Sequence, residues 1–293
     1  MSLLRLALGL AFLPGVGELA AAPIQYGDFE GTTVMYLDVT ETANTPGAPD
    51  SLLGPPTIQG DSLGFSAPAL GAEALGPVGA LRDGQLNFTV MASGRPTIRN
   101  LSASAGGVYT LQGNAGAGTR IGYALSLSSV TVVEVDYAAL ATPVALGAAA
   151  RSGEHDLSSG SMAEGTWNLG LFYDVNAALA AAGVSFSNGA TKLEVAMDFM
   201  VMALGEAGSQ SMVAGDSLGV AVNAADPAIP VLTIVRSGAD EVTLSWSPAT
   251  PGFLLQESPG LGASGWDDAP SGATNPVTLP ISGTRKFFRL FRP

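Results

Sequence analysis

The chain has 293 residues, 47% hydrophobic and only 13% charged, with 38 glycines, 19 prolines and no cysteine. That apolar share at this length builds a real core and argues against wholesale disorder, while the missing cysteines exclude thiol catalysis, thiolate zinc sites and iron–sulfur clusters. A formal net charge of -13 repels phosphate and disfavours nucleic acid as a partner.

The first residues, MSLLRLALGLAFLPGVGELAAAP, place Arg5 before an apolar run from Leu6 to Val16, followed by small residues at 20–22. This is the layout of an export signal, with cleavage expected after Ala21. The chain is therefore expected at the cell surface, in the extracellular space or in the periplasm. No later run of 18 apolar residues avoids charge, so a membrane-spanning helix is not expected. An exported chain without disulfides at this size points to a bacterial protein held by its core alone.

Strand signals then follow one another. TTVMYLDVT (32–40), DSLGFSA (61–67), QLNFTVMAS (85–93), GVYTLQG (107–113), YALSLSSVTVVEVDY (123–137) and TKLEVAMDFMVMAL (191–204) are rich in β-branched and aromatic residues with period-two stretches. Glycine, proline and serine fill the gaps. One segment, DVNAALAAAG (174–183), predicts a helix instead: Asp174 suits an N-cap, alanines form the body, and Gly183 stands where the helix stops. NAADPAIP (223–230) has the composition of a linker. Residues 22–228 carry 6 basic and 19 acidic side chains, whereas 229–293 carry 5 of each, so the acidity belongs to the first part.

After the linker, VLTIVRS, EVTLSWS, GFLLQES, WDDA, PVTLPIS and RKFFRLF recur at the spacing of sandwich strands. The last of these has Phe288 and Leu290 on one face and Phe287, Arg289 and Phe291 on the other, and reads as a closing strand rather than a basic tail. The expectation is an all-β chain: export signal 1–21, a large acidic jelly-roll-like β-sandwich with one short helix over 22–224, a linker over 225–230, and a small β-sandwich over 231–293.

Two resemblances refine this. The series LTIVRSG, VTLSW (242–246), GFLLQESPGL (252–261), GWDD (265–268), TNPVTLPI (274–281) and KFFRL (286–290) resembles a C-terminal fibronectin type III-like module of exported Verrucomicrobia and Planctomycetes proteins. That family implies a small β-sandwich with no catalytic residue. YGDFEGTTVMYLDVTET (26–42), GPPTIQGDSLGFSAPAL (54–70) and ATKLEVAMDFMVMALGEAGSQSMV (190–213) are similar to the β-rich ectodomain of PEP-CTERM-type exported bacterial proteins, although RKFFRLFRP (285–293) does not have the pattern of a PEP-CTERM tail, so membrane-linked sorting is not expected.

Few residues carry chemistry. The single histidine, His155 in RSGEHDLSSG, is expected in a solvated loop, and no G-x-S-x-G elbow accompanies it. Alternation places Glu134 and Asp136 of EVDY on one strand face, as in a jelly-roll glycosidase, but Ala139 stands where the second glutamate would be. Asp28, Glu30 and Asp198 are the candidate ligands of a structural Ca2+, the one cofactor the acidic residues suggest. Trp167, Tyr173 and Trp266 are the candidate glycan-contacting rings, while Trp246 reads as core. These readings favour a non-catalytic structural or adhesion protein, with carbohydrate binding as the alternative and a jelly-roll glycoside hydrolase behind it. Expected partners are polysaccharide or a second copy through strand edges.

Overall fold

A computed structural model of the chain describes residues 22–114, 116–226, 229–247, 253–262, 265–282 and 285–291. The export-signal expectation falls on 1–21, outside the described residues. The strands of the first part are β1 (Ile24–Glu30), β2 (Val34–Ala43), β3 (Thr57–Gln59), β4 (Ser62–Phe65), β5 (Gly71–Leu75), β6 (Gly79–Ala92), β7 (Thr97–Gln112) and β8 (Gly116–Val135). They continue with β9 (Ala138–Ala145), β10 (Ala149–Leu157), β11 (Met162–Asp174), the helix α1 (Val175–Ala181), β12 (Ala190–Leu204) and β13 (Gln210–Ala225). The second part holds β14 (Val231–Arg236), β15 (Glu241–Ser247), β16 (Leu254–Ser258), β17 (Asp267–Asp268), β18 (Val277–Pro280) and β19 (Phe287–Phe291).

The chain is nearly all-β, with a large β-sandwich and two small additional sheets. One layer of the sandwich runs β1-β2-β6-β12-β8, with β9 and β10 sharing the far edge of β8. The other runs β11-β7-β13-β4-β3, with β5 beside the start of β13. A single residue pair, Ala190 with Ile98, joins them. Alternation explains the core: Leu193, Val195, Met197, Phe199 and Val201 of β12 are buried, as are Leu101, Ala103 and Ala105 of β7 and Leu218, Val220 and Val222 of β13.

The helix follows its sequence signals. The Asp174 side chain accepts from the backbone N–H of Ala177 (2.9 Å), Val175 and Leu179 are buried, and Gly183 takes a positive φ just past the end. The linker expectation needs a correction, because β13 continues through Ala225: Asn223, Ala224 and Ala225 pair with Asn100, Ile98 and Thr97.

Of the bulges in the first sheet, one in β2 and one in β8 shape its outer face. In β2 the buried residues are Val34 and Tyr36, then Val39, Glu41 and Ala43, so the inward parity switches from even to odd. The switch occurs at Asp38, which has φ 53° and lies in a register shift between Leu37 and Thr40. In β8 the inward set Ile121, Tyr123, Leu125 and Leu127 gives way to Val130 and Val132 across a shift opposite Ala196 and Met197.

The β2 bulge turns Glu41 inward, where it is fully buried. One carboxylate oxygen accepts from the backbone N–H groups of Leu52 (2.5 Å) and Leu53 (3.1 Å). The other accepts from the Ser51 hydroxyl (3.0 Å) and the Tyr26 phenol (2.5 Å). Glu41 thereby ties β1 and the connection after β2 to the sheet.

Burial, and then the Glu41 carboxylate, push the Tyr26 phenol up to about 12. Burial raises Tyr36, Tyr123 and Tyr173 as well. An unfolded tyrosine ionises near pH 10, so between about 10 and about 12 the folded chain binds more protons than the unfolded one. Stability is then fully present below that window and is lost as pH rises through it. Urea midpoints should fall steeply from pH 9 to about 11.5, and Tyr26→Phe should remove part of that slope.

The second part has its own core of Leu244, Trp246, Leu255 and Ala269, against which Leu232, Val242, Val277, Leu279, Phe288 and Leu290 pack. Its two sheets are β14-β15-β18 and β17-β16-β19, so all six strands read from the sequence are present. The basic terminal stretch is engaged in the fold: Lys286 pairs with Glu257 (3.1 Å), and Arg289 donates twice to the Gln256 carbonyl oxygen (2.9 and 2.7 Å).

Candidate functional site

The outer face of the first sheet carries a groove of about 350 Å³ bordered by Asp38, Asn87, Thr89, Ser129, Thr131, Glu194 and Ala196. Strand register explains its shape. Thr89, Glu194 and Thr131 stand side by side across β6, β12 and β8; one step along, Asn87, Ala196 and Ser129 do the same. Alanine between an amide and a hydroxyl leaves the floor of the groove.

The two bulges bound it. On one side Asp38 projects from the β2 bulge, held by the hydrogen bond from its backbone N–H to the Asp28 carboxylate (2.8 Å). On the other, the extra residue of the β8 bulge, Ser128, donates to the Ala196 carbonyl (3.2 Å). Asn87 donates to the Gln85 carbonyl oxygen (3.2 Å), and Gln85 donates to Asp198 (2.7 Å), which orients the amide at the groove wall. The lining therefore offers three hydroxyls, one amide and two carboxylates, and no basic side chain. Such a surface exchanges hydrogen bonds with a polyhydroxylated ligand.

The sequence-predicted residues lie elsewhere. Trp167 and Tyr173 are 3% and 8% exposed, on the inner face of β11. Trp167 stacks on Tyr123 (centroids 4.7 Å apart) and donates to the Ala214 carbonyl (3.2 Å), while Tyr173 donates to the Leu146 carbonyl (2.8 Å). The exposed aromatic of β11 is their neighbour Phe172, 64% exposed, which the sequence reading did not select. Trp266 is half-buried beneath the Arg289 guanidinium, 4.5 Å from its ring centroid.

Asp28, Glu30 and Asp198 do not converge. The first two lie on β1 and the third on β12, with β2 and β6 between them, so their strands are about 14 Å apart. Asp28 buttresses the bulge and Asp198 orients Gln85 instead. Among the described residues no group of three or more His, Asp or Glu side chains is placed to hold a metal.

Two further expectations are corrected. Asp136 does not share a strand face with Glu134: β8 ends at Val135, and Asp136 sits in the following turn with φ 53°. Its carboxylate accepts the backbone N–H groups of Ser187, Asn188 and Gly189 (2.6, 2.5 and 3.1 Å), and Glu134 accepts from the Thr191 hydroxyl (2.8 Å). Both acids fasten the approach to β12.

His155 lies on β10 and is half-buried, not in a solvated loop. Its ring stacks on Tyr109 (centroids 4.3 Å, planes 11° apart) and its Nε2 is 3.2 Å from the Tyr123 hydroxyl. Tyr109, His155, Tyr123 and Trp167 thus form a ring stack closing the β10/β11 edge of the sandwich. Glycines opposite the rings make room: a Cβ at Gly153, across from Tyr123, would meet that ring at 2.5 Å, and one at Gly107 would meet Trp167 Nε1 at 2.8 Å.

No protein-family model and no curated protein matches the chain. Among solved structures it is similar to the carbohydrate-binding module TmCBM61 in complex with beta-1,4-galactotriose, at 13% identity over 56% of this chain and 72% of that one, with TM-score 0.16. It is also similar to a structure of infectious bursal disease virus, Gt strain (13% identity, 72% of this chain and 53% of that one, TM-score 0.20). A third is a beta-1,2-glucanase from Parabacteroides distasonis (9% identity, 91% of this chain and 35% of that one, TM-score 0.17). At identities and TM-scores this low, none of the three bears on what the groove binds.

Proposed function

We propose that this is a non-catalytic, exported polysaccharide-binding protein of the cell surface or its surroundings, in which the groove holds a stretch of neutral glycan. The second part, read as a fibronectin type III-like module, serves as a spacer. The observation that carries the reading is the groove itself: hydroxyl, amide and carboxylate groups stand in two rows across adjacent strands, around a floor left open by Ala196. Its volume of about 350 Å³ falls in the range of about 300–1,000 Å³ typical of ligand sites. With two acids and no cation in the lining, an acidic polymer is repelled, and a neutral one is favoured.

Affinity electrophoresis through gels containing neutral polysaccharides tests this. The protein should be retarded by at least one of them, and Asn87→Ala should weaken binding about 3- to 10-fold, the worth of one or two neutral hydrogen bonds. Retardation that is identical in the variant would reject the groove. A hydrolase reading rests on Asp38 and Glu194, whose strands are two spacings, about 9.6 Å, apart. Release of reducing ends from the retained polysaccharide, abolished by Glu194→Gln, would favour that reading instead.

A further inference from the structure

We infer that the β14 edge is a self-association surface, at which two copies of the chain join by antiparallel pairing centred on Thr233. Strand β14 is hydrogen-bonded only to β15, so its other side presents backbone N–H and C=O groups. Its sequence, VLTIVR, has no glycine or proline and a single charge at its end. Val231, Ile234 and Val235 are 69%, 52% and 55% exposed, and Ile229 just before them is 82% exposed.

The other edges are blunted: β5 carries Glu73, β9 contains Pro143 and β19 has Arg289 at its centre. Strand β10 carries Arg151, Glu154 and Asp156; β11 carries Glu164 and Asp174; β1 is bulged and carries Asp28 and Glu30. Strands β3 and β17 have three and two residues, and β18 has four and ends in proline. Among the described edge strands, β14 is the one of more than three residues with no proline, no bulge and no charge before its last residue.

A second copy is the occupant the charge distribution admits. Residues 229–293 carry 5 basic and 5 acidic side chains, so two such modules meet without net repulsion. A two-fold axis through Thr233 places Val231 opposite the other copy's Val235, and Leu232 opposite its Ile234, which are favourable cross-strand pairs. Antiparallel pairing also sets the two Val231 residues, through which the acidic parts lead in, about 14 Å apart along the paired strands.

Sedimentation velocity of the full chain over a wide concentration series tests the assignment. The weight-average coefficient should rise from monomer to dimer, and Val235→Lys should raise the dimer dissociation constant about tenfold or more. The substituted side chain is exposed, so its thermal melt should match that of the parent. Hydrogen exchange of the 231–236 amides should slow as the parent dimerises. A chain that is monomeric at every concentration overturns the proposal and leaves the edge to a different protein. So does a dimer that Val235→Lys leaves intact with 231–236 exchange independent of concentration, since another face would then hold it.

Discussion

Replacing Glu41 by alanine should lower the unfolding free energy of the large sandwich by about 2–6 kcal/mol. The carboxylate is fully buried and is the acceptor for the Leu52 and Leu53 amides as well as for Ser51 and Tyr26. Leu52 and Leu53 are themselves fully buried, so their N–H groups lose a partner where little water reaches. Each buried donor left unmatched costs about 1–3 kcal/mol, and two of them set the estimate. Equilibrium urea denaturation measures the loss, and hydrogen exchange at Leu52 and Leu53 localises it. A shift below about 1 kcal/mol would show that Glu41 does not clamp this connection.

Trp167→Ala should cost about 3–5 kcal/mol, the range for removing a large aromatic from a packed core. The ring is 3% exposed and lies between Tyr123 and the backbone of β13. Its loss also unseats Tyr123, whose hydroxyl meets His155, so the whole β10/β11 edge should loosen. Trp167→Phe keeps a stacked ring but not the hydrogen bond to Ala214, and should recover much of the stability. Denaturant midpoints of the two variants separate packing from the hydrogen bond. Equal losses in both would contradict the stacking account.

The strands legible in the sequence are those whose alternation survives undisturbed, such as β12, where Leu193 to Val201 alternate between faces over the whole length. The helix was legible because its cap, body and stop are local signals. Strands β9, β10 and β13 were not, since AALATPVA, AARSGEHDL and the glycine- and alanine-rich β13 lack a strong β-branched pattern; pairing with β8 and β7 holds them extended. Hence His155 read as a loop residue.

The groove was hidden for a different reason. Its walls come from residues 38, 87, 129 and 194, brought together only by strand order and by bulges that reverse face parity. Strict alternation from Val34 sends Glu41 outward, and alternation through EVDY sends Asp136 onto a strand face; a bulge and a strand end reverse these two assignments. Trp167 and Tyr173 were selected for ring chemistry alone, and their odd parity on β11 buries them, while Phe172 between them faces solvent. Burial of large aromatics is the ordinary outcome in a sandwich core.

The central claim is that the outer-face groove binds neutral glycan. Calorimetric titration with neutral oligosaccharides, run in parallel on the parent and on Ala196→Arg, tests it most directly. Ala196 is half-exposed at the groove floor, so arginine there fills the space without entering the core. The parent should bind at least one oligosaccharide and Ala196→Arg should bind none, with both melting at the same temperature. Equal binding by the two proteins would contradict the account.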